Sequence, residues 1–545
     1  MKICLAQVNT IVADFDGNAA KILNGVAAAT KQGVELIVFP EMCLTGYPPR
    51  DLLLRGSFIE AQLVTLERLA REIGDIWTIL GFVSRNETGR GKPLRNSAAV
   101  IAHGRVAAVR HKMLLPTYDV FDETRYFEPA GDNEPVIIAG RRVGLTICED
   151  AWAHYRGPGA PGYGGDPVAT LCRLGAEFII NTAASPFTLG KQHIRRELLS
   201  HHARYCRRTL VYVNQVGGND ELVFDGDSQV FGPDGRLRVC GKLFEEDFVI
   251  FDVDQLPPAQ DAPELDDVRA IHKTLVLGLR DYARKCGFKK AVIGLSGGID
   301  SSLVAALAAE ALGPENVVGV SMPSIYSSRA TIEDPAILAK NLGIHYMVIP
   351  INPAHDTFLS MLGKNLGNDN ASDLARQNLQ ARIRGTILMT LSNRHHWLVL
   401  ATGNKSELAT GYCTLYGDMC GGLAPIGDVL KTQVYALSRR INSAREIIPV
   451  RILTRQPSAE LKPNQTDQDS LPPYEILDGI LEAYVEGEKG VDEIVRMGFN
   501  RSVVDDMARR IATSEHKRRQ APPTIKVTSR AFGHGRRLPI ARKIP

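Results

Sequence analysis

AVIGLSGGIDSS, residues 291–302, is the stretch from which the rest of the chain can be read. Ala291 to Leu295 form a short apolar run bounded by Gly297 and Gly298, the pattern of a strand buried on both faces. Leu303 to Leu312 are rich in Ala and Leu with no Gly or Pro, which favours helix. The turn between them therefore sits at a helix N-terminus, where free backbone N–H groups and the helix dipole attract anions. Gly294, Leu295, Ser296, Gly297, Gly298, Ile299, Asp300 and Ser301 make up the candidate cradle. Its glycines let the backbone approach a phosphate, its serines add hydroxyls, and Asp300 suits a Mg²⁺ shared with phosphate oxygens. No lysine stands in the turn, unlike the Gly-Lys-Ser/Thr loop whose lysine reaches the outer phosphates. A lysine-free cradle suits a pyrophosphate that is held and then leaves. The plain alternative is a strand–turn–helix junction without a ligand.

Three further strand-like runs follow, at 317–322, 346–351 and 397–401, with helices between them. That alternation predicts a parallel, doubly wound sheet, whose ligands lie at the carboxyl ends of its strands. The last run ends in ATGNKSELATGY, which places Thr402 and Glu407 on the same sheet edge as Asp300. Asp300 and Glu407 together could hold Mg²⁺ beside a triphosphate. Asn-Lys-Ser-Glu is also an ordinary helix start.

The first half predicts a second α/β domain. Strand-like runs fall at 3–8, 36–39, 77–83, 97–103, 143–147, 178–181, 210–214 and 228–231, with helices at 18–32 and 59–73 and a hairpin turning at His103-Gly104. Glu41 follows LIVFP, Lys112 follows VAAVRH, and Cys148 follows VGLTI, each at the end of a run where active-site groups tend to sit. A cysteine needs a base or a cation to act as thiolate, and a lysine can stabilise the oxyanion that follows. Taken singly, Cys148 reads equally as a buried small hydrophobe and Glu41 with Lys112 as a salt bridge.

SGGIDS resembles the signature of the ATP pyrophosphatases, which activate a carbonyl oxygen as an adenylate. FPEMCLTGYPPRDLL, RHKMLLPTYDVFDETRYFEPAGD and GLTICEDAW resemble the carbon–nitrogen hydrolase (nitrilase) family over residues 1–255. That resemblance implies an α-β-β-α sandwich with Glu41 as general base, Lys112 as transition-state stabiliser, Cys148 as nucleophile and Glu123 orienting the lysine. Tyr-Pro-Pro after Glu41 and Cys-Glu-Asp at the nucleophile are similar to the glutaminase domains of glutamine-dependent NAD⁺ synthetases, which implies that Tyr118, Ser185 and Lys191 hold L-glutamine. TGNKSE, YGDMCGGLAPIGDVLKTQVY, PSAELKP and SEHKRRQAPPTIK resemble the NAD⁺ synthetase family. By that likeness Thr402, Lys431 and Ser458 contact ATP, Asp300 and Glu407 bind Mg²⁺, and Asn378, Glu407, His516, Lys517 and Lys526 contact deamido-NAD⁺, with Arg382 near Asn378. Leu415 and Gly422 depart from the ammonia-dependent members. The implied reaction is ATP-dependent amidation of deamido-NAD⁺ with nitrogen from glutamine, in a cytoplasmic homo-oligomer. Amidation of another acceptor and a catalytically retired nucleotide sensor remain alternatives.

Composition agrees with a soluble globular chain. The 545 residues carry 64 Lys and Arg against 61 Asp and Glu, so net charge makes no case for a polyelectrolyte partner. No run of about twenty apolar residues suggests a membrane span. Nine cysteines without framework or zinc spacing imply free thiols, and the pairs His201-His202 and His395-His396 read as structural or surface residues. Residues 254–267, with three prolines and five acidic residues, read as a connector. The expected domains are thus 1–255 and 268–545, with a linker at 256–267. Residues 517–543 carry nine Lys or Arg and no acid, but no aromatic ladder, so phosphate closure and subunit contact are expected there rather than nucleic-acid binding. Residues 470–474 read as a mobile loop and 155–166 as a Gly/Pro-rich loop.

Overall fold

The structure is a computed structural model that describes residues 1–155, 162–263, 265–366, 374–458, 460–462 and 465–543. The middle of the 155–166 loop, Glu264 of the connector, and Ala459 and Pro463 of PSAELKP lie outside the described residues. The chain divides into two compact units, Met1–Glu264 and Leu265–Pro545.

The first unit holds β1 (Lys2–Gln7), α1 (Phe15–Lys31), β2 (Leu36–Val38), α2 (Gly56–Glu72), β3 (Trp77–Arg85), β4 (Leu94–Ala102), β5 (Arg105–His111), β6 (Val136–Ile138), β7 (Arg141–Ile147), α3 (Pro167–Arg173), β8 (Phe178–Ala183), α4 (Lys191–Cys206) and β9 (Thr209–Asn214). Five shorter strands follow: β10 (Val216–Asn219), β11 (Leu222–Asp225), β12 (Gln229–Phe231), β13 (Leu237–Cys240) and β14 (Asp247–Asp252). Twelve of the fourteen form two six-stranded sheets, ordered β14-β1-β2-β3-β4-β5 and β13-β12-β9-β8-β7-β6, and β10 pairs with β11 apart from them. Alternation along β1 explains the layering. Ile3 and Leu5 join Leu145, Ile147 and Val211 of the other sheet in one core, while Cys4 and Ala6 meet Ile22 and Val26 of α1 and Leu66 and Leu69 of α2 in another. Strands covered on both faces read as continuous apolar runs, which is why they were visible in the sequence.

The expected α-β-β-α sandwich is therefore present, and the hairpin turns at His103-Gly104 as expected. Five strands, β6, β10, β11, β13 and β14, lie outside the expected runs; β14, which pairs antiparallel with β1, has side chains only partly buried and a weak pattern. The connector is not a free linker. Gln260 N–H donates to Leu237 O at 2.9 Å and Arg196 donates to Pro263 O at 3.1 Å, both within this unit.

The second unit starts with α5 (Asp267–Lys285) and builds a parallel sheet from β15 (Ala291–Gly294), β16 (Val317–Ser321), β17 (His345–Val348) and β18 (Leu398–Leu400), ordered β17-β16-β15-β18. Between them run α6 (Ile299–Leu312), α7 (Arg329–Leu342), α8 (Asn352–Leu366) and α9 (Leu374–His395). The chain moves outward from β15 through β16 to β17, then returns to place β18 on the opposite side of β15. The loops after β15 and β18 thus flank a topological switch point, the place where such sheets bind ligands.

Beyond β18 lie α10 (Lys405–Thr410), α11 (Lys431–Ile441), α12 (Val450–Thr454), α13 (Tyr474–Leu481), α14 (Val491–Arg496), α15 (Arg501–Thr513) and α16 (Glu515–Arg518). Leu477, Ile480, Ile494, Val504 and Ile511 give α13, α14 and α15 a core of their own. Leu471 and Tyr474 are buried in it, so the expected mobile loop is anchored at both ends. The basic C-terminal stretch is also partly interior. Ile525, Val527 and Thr528 are buried, and the N–H groups of Val527 and Thr528 both donate to Asp428 Oδ2 at 2.8 Å. All nine cysteines are free thiols. Among the described residues, no helix is long and apolar enough to cross a membrane.

One buried ion cluster holds α4 to the strands beside it. Arg195 donates to Asp225 Oδ1 at 3.2 Å and Oδ2 at 2.8 Å, and to Asp227 Oδ2 at 3.0 Å. Removing the guanidinium leaves buried Asp225 without its cation and Asp227 with only Arg196, 3.3 Å away. Arg195→Ala is expected to cost about 3–5 kcal/mol. Scanning calorimetry of the full chain should show this as a transition lowered by roughly 10 °C.

Candidate active sites

In the first unit, three separate strand ends deliver the predicted residues to one buried cluster. Glu41 follows β2, Lys112 follows β5 and Cys148 follows β7. Gly81 on β3 allows the Glu41 turn to come close, since a Cβ there would lie 2.1 Å from Met42 N. Lys112 Nζ donates to Glu41 Oε1 at 2.7 Å and to Glu123 Oε1 at 2.9 Å. Asn96 Nδ2 and the Ala184 N–H complete the shell of Glu41 at 2.7 and 2.9 Å, and the Tyr47 hydroxyl donates to Glu123 Oε1 at 2.9 Å.

The electrostatics assign protons. Burial opposes the Lys112 charge, but Glu123 and Glu41 outweigh it and push its pKa well above the ordinary lysine value. Burial raises Glu123 to about 7, with Lys112 pulling the other way. Burial and the Glu41 charge push the Cys148 thiol well up, with Lys112 opposing. The resting site is therefore a neutral thiol facing a charged lysine–carboxylate pair, so attack requires the proton to pass to a base. Cys148 adopts φ 42°, the left-handed region that non-glycine residues occupy under constraint. Asp150 supplies that constraint. It accepts from Ile147 N–H on one oxygen and from Met113 and Leu114 N–H on the other, all at 2.9 Å, tying the thiol's turn to the backbone just after Lys112.

Tyr118 donates to both oxygens of Glu149, beside the nucleophile, at 3.1 and 3.2 Å, and Tyr163 donates to Glu149 Oε1 at 2.9 Å. Lys191 Nζ lies 5.4 Å from the Trp152 ring centroid and 5.7 Å from that of Phe121, and burial lowers its pKa. Ser185 follows Ala184, whose N–H holds Glu41, and its own N–H donates to Asn214 Oδ1 at 2.9 Å. The structure thus brings Tyr118 and Ser185 against residues that touch the cluster, and Lys191 into its field.

In the second unit, the turn after β15 lines a cavity of about 280 Å³. Gly297 has φ +78°, and a Cβ there would lie 2.9 Å from the Thr331 backbone, so the turn requires glycine. The Ser296 and Ser301 hydroxyls lie 3.1 Å apart, and Ser301 and Ser302 back-bond to Gly298 O. Gly294 through Ser301, Thr402, Glu407, Lys431 and Ser458 all line the cavity. Lys431 Nζ donates to Asp300 Oδ2 at 2.5 Å and to Glu407 Oε1 at 3.4 Å. Burial and the Asp300 charge raise Glu407 to about 8, with Lys431 opposing.

Asn378 stands one step back from the cavity, accepting from the lining residue Thr414 at 2.9 Å. Arg382 is directed to Leu415 O at 3.2 Å. Three expected residues are not brought to the cavity. His516 is exposed on α16, Lys517 donates to Gly411 O and Cys413 O at 2.6 and 2.7 Å, and buried Lys526 donates to Ser529 O at 2.9 Å.

Two family models match the chain, "Carbon-nitrogen hydrolase" over residues 2–256 and "NAD synthase" over residues 271–521. A glutamine-dependent NAD(+) synthetase of Synechocystis sp. is 47% identical, with 99% of this chain and 98% of that one covered. The chain belongs to the glutamine-dependent NAD⁺ synthetase family. The synthetase of that name from Thermotoga maritima is 43% identical over 100% of this chain and 99% of its own length. A solved Acinetobacter baumannii glutamine-dependent NAD⁺ synthetase, in complex with ADP, is 39% identical with a TM-score of 0.78, covering 99% of this chain and 98% of that one.

For a member of this family, several neighbours of the sites escaped the sequence reading. Asn96, Tyr47 and Asp150 contact the Glu41–Lys112 cluster or its backbone, but each is an unremarkable polar residue until the strands converge. Asn404 was legible only as a helix cap. It does cap α10, accepting from Glu407 N–H at 3.0 Å, and its Nδ2 also donates to Asp300 Oδ1 at 2.8 Å. Arg384 lines the cavity, and burial, opposed by Glu460, lowers it to about 10.

The raised Glu407 has a measurable consequence. From the ordinary carboxylate range up to about pH 8, the unfolded chain has lost a proton that the folded chain keeps, so stability falls as pH rises through that window. Glu407→Gln removes this dependence while keeping an oxygen for the Asn404 N–H. Relative to the parent, the ligand-free variant should gain stability between about pH 5 and pH 8, on the order of a few kcal/mol. Urea midpoints across that range check it.

Proposed function

We propose that this protein makes NAD⁺ by ATP-dependent amidation of deamido-NAD⁺, the final step of NAD biosynthesis, drawing nitrogen from L-glutamine and releasing glutamate, AMP and diphosphate. The observation that carries this reading is the gathering of Glu41, Lys112 and Cys148 from three strand ends into one buried cluster, in a chain that also carries the cradle at 294–301.

In the first unit, Glu41 takes the Cys148 proton as sulfur attacks the glutamine side-chain carbonyl. Lys112 and the N–H following Cys148 stabilise the oxyanion, and Glu41 returns the proton to the departing nitrogen as the C–N bond breaks, releasing ammonia. Water, deprotonated by Glu41, then cleaves the thioester to glutamate and free thiol. Tyr118, Ser185 and Lys191 are assigned to hold the glutamine.

In the second unit, the deamido-NAD⁺ carboxylate attacks the α-phosphorus of ATP and diphosphate leaves. Ammonia then attacks the acyl adenylate and AMP departs. The cradle at 294–301, with Thr402, Lys431 and Ser458, is assigned to ATP; Asn378, Arg382 and Glu407 are assigned to the dinucleotide. The same reading places His516, Lys517 and Lys526 at the dinucleotide, an assignment that rests on sequence likeness alone. Asp300 and Glu407 fit Mg²⁺. They are hard oxygen donors on one sheet edge whose mutual repulsion is already balanced by a cation, Lys431. Bound there, Mg²⁺ would neutralise charge on the phosphate oxygens. The reading includes operation in the cytoplasm as a homo-oligomer.

Joining the two activities in one chain has a chemical reason. Ammonia free in neutral water is mostly ammonium, which is not a nucleophile, and a shielded site keeps it neutral. Cys148→Ala is expected to abolish glutamine-driven NAD⁺ formation while ammonium-driven formation survives. Loss of both, in a variant whose melting curve matches the parent, would overturn the separation of the two chemistries.

A further inference from the structure

Away from both sites, three metal-ligating side chains converge in the first unit. His154 Nε2 lies 2.7 Å from Asp166 Oδ2, and His202 Nδ1 lies 4.0 Å from the same oxygen. All three ligand atoms fall within 4.8 Å of one another, the single such group found among the described residues. His154 precedes α3, Asp166 caps α3 by accepting from Ala169 N–H at 3.0 Å, and His202 sits in the last half of α4.

His202 has no exposed surface. Its Nε2 meets Ala151 O at 2.9 Å. A carbonyl only accepts, so Nε2 carries the hydrogen and Nδ1 is left with a bare lone pair. That Nδ1 has no hydrogen-bond partner. A buried lone pair therefore faces a carboxylate oxygen with no donor between them, an arrangement that repels unless a cation is shared.

We propose that His154, Asp166 and His202 bind a divalent first-row transition ion, with Zn²⁺ as the representative species, and that this ion ties His154 and the N-cap of α3 to α4. Two imidazoles and one carboxylate are a borderline donor set that suits Zn²⁺, Co²⁺ or Ni²⁺ rather than Mg²⁺. His202 already has the second interaction that metal-bound histidines make, its remote N–H donating to a backbone carbonyl. Metal–ligand bonds of about 2.0–2.1 Å at tetrahedral angles separate ligand atoms by roughly 3.3 Å. The observed 2.7 and 4.0 Å straddle that figure, so the ion requires His154 to withdraw slightly and His202 to approach. His154 has the freedom to do so, its side chain being 39% exposed, and that opening leaves room for a water as fourth ligand.

Such an ion would act on the thiol site through two links. Ala151, which accepts from His202, ends the turn that begins at Cys148. Tyr163, three residues before Asp166, donates to Glu149 next to the nucleophile. The ion would thus stiffen the turn that carries the nucleophile while taking no part in the chemistry.

The experiment uses the full chain in a Cys148→Ser background, which removes the nucleophilic thiol as a competing ligand. After dialysis against chelator, the protein is titrated with Co²⁺ and then Zn²⁺. One Co²⁺ equivalent is expected to bind with visible d–d absorption and without the near-ultraviolet band of thiolate ligation, and Zn²⁺ should displace it. His154→Gln and Asp166→Asn, the latter keeping an oxygen for the α3 cap, should each weaken that equivalent by more than about 100-fold. Their metal-free melting curves should match the parent. Equal Co²⁺ stoichiometry and affinity in the parent and both variants would overturn the proposal. So would loss of the equivalent only on replacing Cys172 or Cys206, the thiol pair that also feels the Asp166 charge. Because the readout is metal binding, it stands or falls independently of the amidation reaction.

Discussion

Each unit is built around a lysine ammonium buried between two carboxylates. Lys112 stands between Glu41 and Glu123, and Lys431 between Asp300 and Glu407. Neither lysine could stay charged in such surroundings without its acids, and neither pair of acids could both ionise without the lysine. Burial raises one acid of each pair, Glu123 to about 7 and Glu407 to about 8, so near neutral pH each lysine and its acids come close to balance. In the first unit Glu41 stands as a base beside a thiol that burial keeps protonated. In the second, a cation joining Asp300 and Glu407 would displace the Glu407 proton and reconcile the sheet edge with phosphate.

The two folds solve the same positioning problem. Parallel strands place their carboxyl ends on one edge, so residues tens of positions apart arrive together without long-range loops. In the sandwich, β2 and β7 lie in different sheets, and the Asp150 carboxylate ties the turn after β7 to the backbone after β5. In the parallel sheet, β15 and β18 are direct neighbours, and Asn404 joins the loops that follow them. In both units a single side chain that reaches between two loops holds the geometry, and both of those side chains double as local caps.

Much of the scaffold was legible because its strands are covered on both faces. Continuous apolar runs such as residues 36–39 and 291–295 mark interior strands, and helices with Ala and Leu but no Gly or Pro mark themselves. The half-exposed strand β14 was not legible, since a mixed burial pattern has no sharp period. Nor were the helices α12 to α16, or the burial of residues 525–528 beneath a basic C-terminal stretch whose composition suggests a solvated surface. Those basic residues flank an apolar segment whose N–H groups the Asp428 carboxylate satisfies, and charge counting is blind to that.

The sequence by itself determined the chemistry on offer: a thiol, a base and a cation at strand ends, and a glycine turn entering a helix without a lysine. These are local facts, set by residue type and by the conformations a short stretch can adopt. Only the tertiary structure decided which polar residues share a buried space. It drew Asn96, Tyr47 and Asp150 to the thiol cluster, turned Lys526 toward a backbone carbonyl, and faced His202 toward His154 and Asp166. The reason is that burial gives a polar group its consequences. A charge or lone pair in water is indifferent to its neighbours, whereas inside a protein it must find a partner, and the partner is chosen by packing over distances that no sequence spacing reveals.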